Sequence, residues 1–137
     1  MSLPESHPDI DVILDILGVC LLADKYERDE ELVEFCNSAQ LLGRFIAPEI
    51  VLSRQELRQW LESNKTRLCA VVGDVEAERA MLERVTDPEL RRKTLVAIFA
   101  ICVCDYHLAD EESAFLSLAM EVWKPKAMTP DMLEVLD

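Results

Sequence analysis

Apolar residues recur along this chain at helical spacing and nowhere alternate as strands require. Ile10, Ile13, Leu14, Leu17 and Leu21 fall at i, i+3, i+4 intervals. That run starts just after Pro8, a favourable first-turn residue, with Asp9 and Asp11 beside it. A second run, Leu32, Phe35, Cys36, Ala39 and Leu42, begins after Asp29 as N-cap and fades towards Phe45, Gly43 and Pro48. Ser53-Arg54-Gln55-Glu56 has the form of a capping box and opens a short helix through Trp60 and Leu61, which Asn64 is expected to interrupt. Leu68, Val71 and Val72, then Val75, Ala80 and Met81, predict one or two further segments, with a break at Gly73-Asp74.

The later starts are sharper. Asp87-Pro88-Glu89 supplies a cap, a first-turn proline and a first-turn acid for a helix reaching about Cys104. Its centre is apolar almost all round, which predicts the most buried helix of the fold. Asp110 then caps a helix carrying Phe115, Leu118, Ala119 and Val122, ending near Trp123 before Pro125. Thr129-Pro130-Asp131 opens a short terminal helix over 130–136 with Leu133 and Leu136. The pattern predicts an all-α single domain spanning 1–137, with a core over about 8–124 and roughly seven helices.

Composition agrees and narrows the function. The 137 residues are 50% hydrophobic and 30% charged, a globular balance. Acids outnumber bases 27 to 14, for a formal net charge of −13. Nucleic acid is therefore excluded as the main partner, since binding a polyanion relies on Lys and Arg contacts to phosphate. The longest apolar run, Leu95 to Cys104, is ten residues, about half of a membrane span, so no direct membrane insertion is expected. The N-terminus has neither a basic nor an apolar leader region. The five cysteines include no CxxC pair and sit mostly in apolar stretches, as small core residues of a cytoplasmic protein do.

The acids are organised. Ala23-Asp24-Lys25-Tyr26-Glu27-Arg28-Asp29-Glu30-Glu31 matches Cys104-Asp105-Tyr106-His107-Leu108-Ala109-Asp110-Glu111-Glu112 at a constant offset of 81. Asp24, Asp29, Glu30 and Glu31 coincide with Asp105, Asp110, Glu111 and Glu112. Helix, acidic elbow and helix thus occur twice, suggesting a pseudo-twofold repeat with both elbows at one end of the bundle. Asp29 and Asp110 read as N-caps, and Glu30 and Glu111 as outer acids favoured by the new helix's positive end. Asp24 and Asp105 instead fall near the carbonyl end of the preceding helix, where a carboxylate meets the negative pole.

Two things can compensate that placement: the amide-rich start of the next helix, or a cation held by Asp24, Glu31, Asp105 and Glu112. An aspartate that ties down a loop is commoner than one that binds metal. All-oxygen donors would select calcium, magnesium or manganese. Neither elbow is an EF-hand, because the alternating acids, the glycine and the twelfth-position glutamate are missing.

These elbows resemble those of the TerB-like tellurite-resistance domains, a family related to the N-terminal domain of the DjlA co-chaperone. Their signature is an apolar helix ending in Ala-Asp-Gly, followed by an acid on the next helix, with the motif duplicated. Ala23-Asp24 through Glu31 and Cys104-Asp105 through Glu112 keep the aspartate and the glutamate seven residues on. Lys25 and Tyr106 replace the glycine, and the apolar position after it is kept as Leu108 but lost at Glu27. The resemblance implies an all-helical bundle with an acidic, cation-binding face, no established catalysis, and a cytoplasmic role in stress or tellurite response near membrane-associated partners.

Other chemistry is thin. Cys104 and His107 form half a zinc site that the first elbow does not repeat. Two histidines and three glycines leave little for a nucleophilic triad or a phosphate-cradling loop. Arg91-Arg92-Lys93 reads as a solvated helix start, and Trp60 and Trp123 as half-buried core edges. The sequence therefore predicts a non-enzymatic, cation-responsive module, or alternatively a metal-free scaffold whose acidic face attracts basic protein partners.

Overall fold

The computed structural model describes residues 7–23, 29–103 and 110–123. Among these residues the chain forms six helices and no strand: α1 (Pro8–Leu22), α2 (Asp29–Ile46), α3 (Arg54–Cys69), α4 (Val75–Glu83), α5 (Pro88–Val103) and α6 (Asp110–Val122). The seventh helix expected over 130–136 lies outside the described residues.

Local chemistry accounts for the helix starts. The side chain of His7 accepts from the amide of Asp9 and caps α1, with Pro8 as its first helical residue. Ser53 and Glu56 close a reciprocal capping box at α3. Asp74 accepts from Ala77 N–H to start α4, and Asp87 accepts from Leu90 N–H at 2.8 Å to start α5. Gly73 makes the α3–α4 break with φ of +86°, a backbone region where glycine alone carries no steric cost. Asp29 and Asp110 are the first helical residues of α2 and α6, one position inside the cap role expected of them.

Two expectations require correction. Asn64 does not interrupt α3, which continues to Cys69. Its amide donates to Trp60 O one turn back, and its carbonyl accepts from Arg67, so its hydrogen bonds run along the helix rather than against it. Arg67 also grips Asp15 of α1 with two nitrogens, at 2.8 and 3.2 Å, tying α3 to α1.

The second correction concerns burial. The most buried helix is α1, not α5. Eleven of the 15 residues of α1 are buried, and α1 packs against every other helix of the bundle. In α5, Leu90, Ala97, Ile98, Ile101 and Cys102 face the core, while Val96 and Phe99 stand open to solvent. An apolar run fixes what a helix could bury; only the neighbours decide which faces they reach.

The core joins α1 to Phe35, Leu57, Leu68, Leu82, Ile98, Ile101 and Phe115, all closed to solvent. Trp60 is half-buried as expected, stacked on Phe35 with centroids 6.4 Å apart. Trp123 lies deeper than expected, and its Nε1 donates to Leu82 O at 2.8 Å, fastening α6 to α4.

Candidate functional site

The direction of the helices decides where the elbows begin. Cys20, in the last turn of α1, places its Sγ 3.6 Å from Cys102 Sγ at the end of α5 and 3.7 Å from Ile98 O. The C-terminal ends of α1 and α5 are therefore neighbours. Each leads directly into one acidic elbow, so the two elbows leave the bundle from the same end. Cys20, Cys36 and Cys102 are buried, in keeping with the core role expected of them, whereas Cys69 is exposed. Burial pushes the Cys36 thiol above its ordinary value, and the charges of Arg58 and Arg54 pull it partway back.

Of the four expected ligands, Glu31 is the one whose side chain is described. It sits in the first turn of α2 and is completely buried, at 0% exposure. Beside it Asp29 and Glu30 are exposed, in the first turn where the helix dipole favours acids. Asp24 and Asp105 lie outside the described residues. Asp110, Glu111 and Glu112 occupy the first turn of α6, and their side chains lie outside the described set. Among the described residues, no group of three or more His, Cys, Asp or Glu side chains is placed to hold a metal ion. Cys104 and His107, the half zinc site, are also outside that set.

A carboxylate buried as deeply as Glu31 is costly unless its charge is matched or protonated. The bundle therefore offers an elbow end with a deeply buried acid on α2 and exposed acids around it.

A second buried carboxylate, Glu78 on α4, is explained by structure alone. Its Oε2 accepts the amide of Gly73 at 3.0 Å, which steadies the α3–α4 turn. Desolvation raises its pKa above the ordinary value, the Gly73 bond opposes the rise, and the charge of Asp74 adds to it. The folded state therefore holds the Glu78 proton to higher pH than the unfolded chain does. This contribution is fully present below the unfolded pKa and is lost as pH rises through the folded one. Glu78→Gln should flatten that part of the stability profile and stabilise the protein at neutral pH relative to wild type. Urea melts at several pH values measure this, and an unchanged slope would exclude Glu78 as its source.

A second feature, not among the expectations above, is a groove of about 710 Å³ between α2 and α5. Leu41 and Phe45 from α2 and Val96 and Ala100 from α5 line it, with Glu34, Arg92 and Lys93 along its edges. Lys93 Nζ stands 4.9 Å from the centroid of the Phe45 ring. The signal available was the apolar run of α5 itself, whose all-round character puts Val96 on a face that α1 does not cover. No helix among the described residues is long and apolar enough to cross a membrane. Comparison with protein-family models, with curated proteins and with solved structures finds no match to this chain.

Proposed function

We propose that this chain is a non-enzymatic module of the TerB-like kind whose elbow end binds a divalent cation, calcium, magnesium or manganese. The observation that carries the reading is the 3.6 Å approach of Cys20 to Cys102, which sets the roots of both acidic elbows side by side. Nine of the 27 acids belong to those elbows and their following first turns, eight of them at matching positions. Charge of one sign gathered at one end repels itself, and a bound cation relieves it. Asp24, Glu31, Asp105 and Glu112 supply the oxygen ligands, with Asp29, Glu30, Asp110 and Glu111 around them. In this reading the module works in cytoplasmic stress or tellurite response, and cation loading sets whether the acidic end is open to basic or membrane-associated protein partners.

Titration of metal-stripped protein with each ion tests it. Binding to the folded state should raise the melting temperature at millimolar or lower ion concentration. Asp105→Asn together with Glu112→Gln should abolish that rise; a rise left intact would sink the ligand assignment. The metal-free scaffold is favoured by one observation, the exposed apolar groove on α2 and α5. It predicts no ion-specific stabilisation, and partner capture that weakens between low and high salt.

A further inference from the structure

The face formed by α2 and α5 is the largest departure from the expected pattern of burial. Leu41 is 62% exposed, Val96 61%, Phe99 54% and Phe45 44%. Leu41 and Phe45 are one turn apart on α2, and Val96 and Phe99 are nearly one turn apart on α5. Single exposed apolar residues need no explanation, but three large ones lining one groove, Leu41, Phe45 and Val96, mark an interaction surface.

The charges at the groove's edges say what fits it. The two helices are antiparallel. Lys93, in the second turn of α5, stands over Phe45 in the last turn of α2. At the other end, α2 starts close to the end of α1, which the Cys20–Cys102 contact holds beside the end of α5. Hence Glu34, with Glu30 one turn before it, marks an acidic end of the groove near Ala100. Arg92 and Lys93 mark a basic end near Phe45, where the single acid Glu89 pairs with both and leaves a positive excess. The groove is thus acidic at one end, apolar in the middle and basic at the other.

A surface with that polarity complements itself. Turned through a twofold axis perpendicular to the groove, a second copy lies antiparallel on the first. The two apolar middles then meet, and each acidic end faces a basic end, the reciprocal pairing of an isologous dimer. A uniformly acidic or basic partner would match one end and clash with the other. In a chain of net charge −13, two copies repel over most of their surface, so a face that carries its own cations is where they can meet. The geometry points to a homodimer formed through the α2/α5 face, with Glu34 of each copy opposite Arg92 and Lys93 of the other and Leu41 and Val96 between. It is independent of whether the elbow end binds a cation.

Sedimentation equilibrium on the full chain at 0.15 M ionic strength, a salt level at which exposed charges act over about 8 Å, tests it. The wild type should show a concentration-dependent mass approaching twice 15.6 kDa. Val96→Glu, at an exposed position that the fold does not need, should weaken association by more than about tenfold and leave helicity and melting of the monomer unchanged. Glu34→Lys alone should weaken it too, and adding Arg92→Glu should restore it, because the swap re-creates the pairing in reverse. A dimer indifferent to Val96→Glu would overturn the proposal, as would a double swap that fails to rescue. A wild type monomeric at every concentration overturns it as well. If Val96→Glu then lowers its melting temperature, the chain's own residues cover the groove, and if melting is unchanged, the groove is open to a different partner.

Discussion

Replacing Phe35 by alanine should remove about 3–5 kcal/mol of stability, the range for deleting a fully buried aromatic side chain. Phe35 is 0% exposed and stacks on Trp60 with its ring 19° from parallel, so its loss opens a void between α2 and α3. Collapse around the void is hindered because the core to which Phe35 belongs is already closed to solvent and close-packed. For a chain of this size the midpoint of thermal unfolding should fall by on the order of 10 °C or more. Urea unfolding followed by helicity measures the loss, while tryptophan emission should report a changed Trp60 environment. A loss below about 1 kcal/mol would mean that Phe35 is not the packing centre described above.

The second large effect is expected where helices come closest. A Cβ placed on Gly18 of α1 would lie 2.7 Å from Cδ1 of Leu68 and 3.5 Å from the ring of Trp60. Leu68 is itself 0% exposed and cannot simply swing away. Gly18→Val should therefore cost about 1–3 kcal/mol through overpacking, despite the helix propensity gained by leaving glycine. Combined with Leu68→Ala it should cost less than the sum of the two single changes, since the second makes room for the first. Additivity within about 0.5 kcal/mol would show that α1 and α3 do not touch at this point.

Much of the helix layout could be read from the chain because its signals are local. Pro8, the Ser53–Glu56 box, Gly73-Asp74 and Asp87-Pro88 act within a few residues of themselves, and each helix boundary near them follows. Asn64 was misread for the complementary reason. Asparagine competes with helical backbone in isolation, but here Arg67 and the Trp60 carbonyl occupy its side chain and Asp15 anchors Arg67 from another helix. The burial of α5 was misread because periodicity reports a helix's own composition and not its neighbours. The same gap hid the α2/α5 groove, whose residues are ordinary core residues until one knows that no described helix lies over them. At the elbows, sequence spacing picked out Glu31, and the structure adds its complete burial and the common end from which both elbows start.

The central place of α1 has a consequence for how the chain is made. This helix precedes in the sequence every helix that covers it, and its final contacts come from α6, some ninety residues later. At synthesis rates of about 5–20 residues per second, its apolar surface is without those contacts for roughly 5–20 seconds after α1 itself has been assembled. A nascent chain in that interval presents a nearly all-apolar helix followed by an acidic elbow. The acids that follow α1 in the sequence then act during synthesis, their like charge keeping this apolar segment apart from its copies until the bundle closes.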